Sequence, residues 1–494
     1  MTARTAGFAA IALLAVSYAI PAQGGAANQD AQYALVRALA QGTPRIDRTR
    51  LQVGTAGTGD ISYIHGHYFA AKAPGLAFAA LAPYLLLKAA GYARPVGDPT
   101  GQLWYLTLWG ALLPAVTLLL LVRAVANRLE PGFGTAAAVT LGVATMLLPF
   151  ATLFFAHALS ATLGFAVFAV LWHERQGPAR PALVAAAGVL AGLAATVEFP
   201  VAVIGAILGL YAIARPGPLR RAGVYAAGVV IGSLPTLLFN EWAFGRVFEF
   251  SYADVVATPG AAENKVGLYG VTAPRLHTLL QLLFSRTGLL TMTPVLALGA
   301  LGLVLLYRAG HRAEALVASG ISLAYLLLIA GYQTPFGGYS PGPRFLVAIM
   351  PFLALGWAPA YRRFPATTAV LALCSAVKMA VVTATQPLLA TFGGWFHRFA
   401  SGQFEQTSLG LAGIGHVGIP LFLVGVCAAV ALAAVASPRP DPSRPDTVVA
   451  ALVVTGFILA ASIDSDHAWD GLALATTCAV IAVLLPRGLR VRSP

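Results

Sequence analysis

Asp60-Ile-Ser-Tyr-Ile-His-Gly-His-Tyr-Phe-Ala-Ala-Lys-Ala-Pro-Gly75 sits in the first long polar stretch of the chain, residues 22–102. A single short apolar run, Gly7 to Ile20, precedes that stretch, and an almost unbroken series of apolar runs follows it. Many of those runs reach the roughly 17–25 residues that a helix needs to cross about 30 Å of hydrocarbon, and none shows the roughly ten-residue alternation of a membrane barrel. Of 494 residues, 58% are hydrophobic and only 10% charged, which is too apolar for a soluble multidomain protein. The expected fold is all-α, a polytopic integral membrane protein whose 22–102 loop forms the floor of an active site.

The formal net charge of +13 does not point to nucleic acid, because the basic residues stand in short clusters between apolar runs. Lys72, Lys88, Lys265 and Lys378 are the only lysines among 31 basic residues. No Gly-x-x-x-x-Gly-Lys-Ser/Thr sequence provides a P-loop, and the glycine-rich Gly54 to Asp60 reads as a flexible loop rather than a nucleotide cradle. Cys374, Cys427 and Cys478 all lie in apolar runs and read as packed small residues, not a disulfide framework.

The clusters Arg123/Arg128, Arg175/Arg180, Arg215/Arg220/Arg221, Arg308/Arg312, Arg362/Arg363, Arg439/Arg444 and Arg487/Arg490/Arg492 count out the topology. If each is cytoplasmic, an even number of crossings separates neighbours. The 34 residues between Arg180 and Arg215 would make a helix of about 50 Å, too long for one span, so a tight hairpin with Glu198-Phe-Pro200 at its outer tip is expected. The same counting places outward helices near 134–150, 222–239, 313–331, 366–385 and 447–463, with returns near 156–172, 286–307, 345–361, 418–436 and 471–486. With the first helix, a 103–122 segment and the 181–214 hairpin, about fourteen spans result and both termini face the cytoplasm. Pro74 to Ala90 breaks the bookkeeping, since a full crossing there would invert every later cluster. A shallow or re-entrant helix is expected instead, with Lys88, Tyr92 and Arg94 at the interface.

Three outer loops are long, 22–102, about 240–285 and 386–417. Lys72, Arg246, Arg275, Arg344 and Arg398 fall outside against the charge bias, and an anionic ligand at the outer face would account for them. Asp30 has two readings, the N-cap of a short interfacial helix or a catalytic acid. Lys72, just before Ala73-Pro74-Gly75, is either a snorkelling lysine or an ammonium aimed at a phosphate beside a helix N-terminus. Arg344 follows Phe336-Gly-Gly-Tyr-Ser-Pro-Gly-Pro343, whose glycines and prolines could hold a guanidinium against a phosphate. His65 and His67, with Asp60 nearby, could ligate a metal, but no third ligand completes a recognisable site, so hydrogen bonding to a polar substrate is preferred, above all for His67 beside Tyr68. His157 and Glu198 are ionisable groups near the outer membrane face, where such groups usually line a cavity. Glu241, Asp254 and Tyr332 are further substrate-site candidates, and Lys378 reads as a snorkelling residue. No cofactor is expected, and the sequence leaves a divalent metal undecided.

An early acidic residue in the first outer loop, then Tyr68-Phe-x-x-Lys72-x-Pro74, Asn240-Glu-Trp-Ala-Phe-Gly245 and Gly342-Pro-Arg-Phe345, in that order, resembles the GT-C superfamily of membrane glycosyltransferases. The family 39 relatives, which include protein O-mannosyltransferases and lipid A aminoarabinose transferases, are most similar. The resemblance covers roughly residues 1–360 as a catalytic module and leaves the C-terminal helices, 361–494, without a legible role. It implies inverting transfer of a sugar from a polyprenyl-phosphate carrier to a hydroxyl of a cell-envelope glycan, lipid or protein, at the outer face of a bacterial inner or plasma membrane. It also implies Asp30 as catalytic base, Lys72 and Arg344 on the donor phosphate, and a juxtamembrane helix at 74–90. The chain departs from the family at Ala71, where relatives often carry an acid, and at His157, which stands in place of another outer acid. A transporter or flippase of a lipid-linked or anionic substrate is the alternative, since it too needs outer basic residues.

Overall fold

The computed structural model describes residues 1–53, 58–93, 98–256, 262–388, 392–463 and 466–489; Gly54 to Gly57, Arg94, Arg490 and Arg492 lie outside them. Seven helices are long and apolar enough to cross a membrane, namely Thr100–Leu129, Pro218–Phe244, Arg312–Ala330, Pro365–Ala384, Gly415–Ala436, Arg444–Ser462 and Ala468–Leu489. Two pairs meet the same test jointly but are bent, Leu276–Met292 with Val295–Arg308 by 90° and Arg344–Ala354 with Trp357–Arg363 by 56°. Shorter apolar helices cover Ala3–Tyr18 (α1), Gly75–Ala89 (α3), Gly134–Val143, Pro181–Val197 and Phe199–Ile213. Helices thus occupy every segment expected to span the membrane, and the chain is an all-α, multi-pass membrane protein.

The expected spans are less regular than the counting assumed. The helix expected over 134–150 stops at Val143, and a separate turn, Leu147–Phe150, follows. Pro149 and the Thr145 hydroxyl, which accepts from the Leu147 amide at 3.1 Å, divert the backbone there. The 286–307 span breaks at Thr293-Pro294, where proline supplies no amide. The 345–361 span breaks at Gly356, where a Cβ on the facing Gly302 would come within 1.7 Å of the Gly356 carbonyl. Between the 181–197 and 218–244 helices, Gly188 and Gly192 face Gly228 and Gly232, and a Cβ on any of them would meet the opposite backbone at 2.1–2.3 Å. Such small-xxx-small faces let helices pack by van der Waals contact where lipid offers no hydrophobic drive.

The arginine clusters gather at one end. Arg362 pairs with Glu130, with its guanidinium 2.5 Å from the carboxylate, and Arg128 reaches Gln176 at 3.3 Å. Tyr211 meets Glu314 at 3.3 Å. Asp446 accepts the Ala366 and Thr367 amides, each at 2.9 Å, and so caps the Pro365–Ala384 helix. Glu174, whose side chain is fully buried, sits between Arg221 at 2.8 Å and Arg215 at 3.2 Å. Removing one member of a buried pair strands the other charges, so Glu174→Ala is expected to cost about 3–5 kcal/mol. A melting temperature in detergent checks this; an unchanged value would mean that the arginines find other partners.

At the opposite end the first long polar loop folds on itself. α2 (Ala27–Leu39) is an alanine-rich helix with Arg37 in its last turn, where a cation suits the helix dipole. A two-stranded antiparallel sheet, β1 (Ile61–Ile64) and β2 (His67–Ala70), follows; the sequence reading had only a loop here. His65 and Gly66 turn it with φ of +50° and +84°, the left-handed pair of a type I′ hairpin. α3 spans 15 residues, about 22 Å.

The C-terminal helices are packed into this body. Pro21 pairs with Thr407, the Ala22 amide donates to the Gln406 carbonyl at 2.8 Å, and the Ser408 amide donates to Ile20 at 2.8 Å. The 386–417 segment therefore braces the link from α1 into α2.

Candidate active site

The hairpin register sets the first charged pair. Ile61 faces Ala70, and the ladder continues one step outward, with the Ala71 amide donating to the Asp60 carbonyl at 3.0 Å. Lys72 thus emerges beside Asp60, with Nζ 3.0 Å from Oδ2, both side chains largely buried. Lys72 does not snorkel to an interface. The segment after the Pro218–Phe244 helix lies against the same hairpin: Ser62 Oγ donates to the Ser251 carbonyl at 2.6 Å, and Ser251 Oγ to Ala70 at 3.1 Å. This places Tyr252 near Lys72, whose ammonium lies 5.9 Å from the ring centroid.

Gly75 joins this unit to the helical hairpin. A Cβ there would lie 2.6 Å from the Thr196 carbonyl, so only glycine lets the first turn of α3 seat against the end of the Pro181–Val197 helix. Glu198 follows at once, at the expected tip. One carboxylate oxygen lies 2.6 Å from His157 Nδ1, though off the hydrogen-bond direction, and the other accepts from the Ser160 hydroxyl. Burial pushes the Glu198 carboxyl up, but His157, Ser160 and Arg344 outweigh it and hold the group below the ordinary carboxylate range. The His157 ring is packed by Phe150, Phe155 and Phe345 at 4.8, 5.8 and 5.9 Å between centroids, and its Nε2 is buried without a hydrogen-bond partner.

Arg344 completes the cluster. Gly337, at φ +74°, crosses its side chain so closely that a Cβ would sit 2.5 Å from Nε. The guanidinium lies over Phe155 at 5.3 Å and Phe345 at 5.8 Å; Nε is buried without a partner, and no carboxylate of the described residues lies within ion-pair distance. Tyr332 stacks edge-on against Phe345 at 5.6 Å.

Asp60, Lys72, His157, Glu198, Tyr252, Tyr332 and Arg344 all line one cavity of about 960 Å³, whose remaining wall is mainly aromatic and aliphatic. Six other candidates are not among the described lining residues, Asp254 being one of them, in the short 3-10 turn Ser251–Asp254. His65 occupies the exposed hairpin turn. His67 Nδ1 is 2.9 Å from Asp47, which also accepts the Tyr68 amide at 2.7 Å. Tyr68 carries Arg50 over its ring at 3.9 Å and stacks on Tyr63 at 4.9 Å. Glu241 is exposed on the Pro218–Phe244 helix. Asp30 is buried, but Asn28 and Gln32 are the α2 residues on the cavity wall, and at about 100° per residue Asp30 belongs to the opposite face of the helix.

Asp30 is not the helix cap that one reading of the sequence gave it. Ala26 is the N-cap of α2, without a side-chain bond, and Asp30 lies within the first turn. Its Oδ1 is buried without a partner, close under Gly25, and burial raises its carboxyl to about 6. Asp47, Ser160 and Tyr252 were missed from sequence. Their partners, His67, Glu198 and Lys72, lie 20, 38 and 180 residues away along the chain, beyond any local spacing rule. The hairpin had a visible signal, a residue-Gly pair between β-rich segments. Among the described residues no three His, Cys, Asp or Glu side chains gather as a metal site.

No protein-family model matches the chain, and no curated protein sequence matches it. Among solved structures it is similar to ArnT from Cupriavidus metallidurans bound to undecaprenyl phosphate, at 15% identity and a TM-score of 0.49 over 97% of this chain and 76% of that one. The apo state of the same ArnT gives 15% identity and 0.45, over 97% and 75%. The apo oligosaccharyltransferase of Archaeoglobus fulgidus gives 12% identity and 0.46, with 92% of this chain covering 59% of that one. At such values the functional reading rests on this chain's own residues.

Proposed function

We propose that the chain is an inverting glycosyltransferase that moves a sugar from a polyprenyl-phosphate carrier to an acceptor hydroxyl at the outer face of the membrane. Arg344 is the observation that carries this reading. A guanidinium buried without an ion pair is costly unless an anion meets it, and this one lies in a largely apolar cavity with a second cation, Lys72. A phosphate on a hydrocarbon tail has the chemistry to fill such a site. The motifs Tyr68-Phe-x-x-Lys72-x-Pro74 and Gly342-Pro-Arg-Phe345, with their likeness to GT-C enzymes, favour a transferase over a transporter.

In the proposed reaction the acceptor oxygen attacks the anomeric carbon, the bond from that carbon to the phosphate oxygen breaks, and the electron pair stays on the phosphate. Lys72 and Arg344 stabilise that charge in a water-poor site. Asp30, the early loop acid of the motif order, takes the acceptor proton, which requires its carboxyl to reach the acceptor from behind the wall formed by Asn28 and Gln32. Its carboxyl has no partner to hold it ionised, and a value near 6 suits a base working near neutral pH. Asp60 is the second reading for the base, favoured by its place on the cavity wall.

Lys72→Ala tests the phosphate role. A hydrogen bond to a charged group contributes about 1.5–3 kcal/mol, so binding of undecaprenyl phosphate to the purified protein is expected to weaken roughly 10–100-fold. Undiminished binding would return Lys72 to a structural partner of Asp60.

A further inference from the structure

The described residues on the cavity wall carry two fixed cations, Lys72 and Arg344, and two carboxylates, Asp60 and Glu198, which sum to zero. The reaction proposed above does not conserve the charge of the phosphate. A donor diester carries one negative charge and the released monoester up to two, while the acceptor hydroxyl gives up one proton. His157 is the one histidine on this wall, and imidazole is the side chain whose ordinary titration falls near neutrality.

We infer that Glu198 and His157 form a dyad whose imidazole takes up a proton when the phosphate monoester forms, and so supplies the positive charge that the product needs and the donor does not. The inference rests on the transferase reading. Glu198 Oε1, 2.6 Å from Nδ1, stabilises an imidazolium by its charge. His157 lines the cavity, and its Nε2 is buried without a hydrogen-bond partner. Glu198 is itself fixed by Ser160, and the aromatic packing of Phe150, Phe155 and Phe345 keeps the ring from turning away. The other charged and titratable groups around the dyad are Arg344 at the start of the Arg344–Ala354 helix, Tyr252 in the turn Ser251–Asp254 and Tyr325 on the Arg312–Ala330 helix, all within electrostatic reach of Glu198. Asp60, Lys72 and Tyr332 line the same cavity. The balance closes: one carbon–oxygen bond forms and one breaks, Asp30 takes the acceptor proton and releases it to water, and His157 takes one proton from water. His157 would then bind the product phosphate, distinguish it from the donor, and make product release dependent on pH.

The test uses the full chain purified in detergent, with farnesyl phosphate as the monoester probe and methyl farnesyl phosphate as the diester. Calorimetry in buffers of different ionisation enthalpy counts the protons taken up on binding between pH 7 and 8.5, where a phosphate monoester is largely dianionic. The wild type is expected to take up close to one proton with the monoester and none with the diester. Its monoester affinity should fall by up to tenfold per pH unit across that range. His157→Gln should bind the monoester without uptake and without that pH dependence, and Glu198→Gln should move the uptake to lower pH. Equal uptake by wild type and His157→Gln, or none by a wild type that binds both probes, would overturn the dyad and leave the transferase reading standing. Failure of the wild type to bind either probe would overturn both.

Discussion

Arg344→Gln is expected to lower sugar transfer by about 10²–10³. The side chain reaches its place because Gly337 passes over it and because Phe155 and Phe345 flank its guanidinium. None of these neighbours neutralises it; Asp60 and Glu198 are close enough to favour its charge but not to pair with it. A developing phosphate dianion would be the missing partner, so the interaction strengthens as the reaction proceeds and its loss should appear in kcat. Arg344→Lys keeps the charge but loses the planar fork, and is expected to recover only part of the rate. Full activity in both variants, with melting temperatures near wild type, would remove Arg344 from the phosphate site.

Asp30→Asn should separate stability from activity. Transfer is expected to fall by about 10²–10⁴, the usual contribution of a positioned general base. Stability should move the other way at pH 7. The folded carboxyl titrates near 6 because it is buried, against 3.8 for the ordinary group, so the folded state holds the proton more tightly. A raised carboxyl value means that stability falls as pH rises from about 4 to about 6 and stays low above it. Removing the ionisable group is therefore expected to stabilise the protein at pH 7 on the order of 2 kcal/mol, after allowing for residual solvent screening, and the gain should shrink toward pH 4. Retained transfer in Asp30→Asn, together with loss in Asp60→Asn, would move the base to the cavity wall.

The sequence made the helical layout legible because membrane helices must be long, apolar and flanked by cations on one side. Lys72, Arg344, His157 and Glu198 stood out as ionisable groups where such groups are costly, and the fold brings all four to one cavity with Asp60 and Tyr332. His65, His67 and Tyr68 drew attention by proximity in sequence. A two-residue turn and the alternation of β2 instead carry them to partners such as Asp47 and Arg50. The breaks at Pro294 and Gly356 were hidden because hydropathy measures composition, not continuity. The C-terminal region had no readable motif; Gln406 and Ser408 hold the segment that leads from α1 into α2 through backbone and hydroxyl hydrogen bonds.

The most direct measurement is transfer of radiolabelled sugar from polyprenyl-phosphate donors to acceptors in membranes that contain the wild type, Arg344→Gln or Asp30→Asn at equal expression. The proposed chemistry predicts labelled product with the wild type, loss in both variants, and retained binding of undecaprenyl phosphate by Asp30→Asn. Movement of intact labelled donor across the membrane by the wild type, without any transfer to an acceptor, would contradict it and make the cavity a transport site.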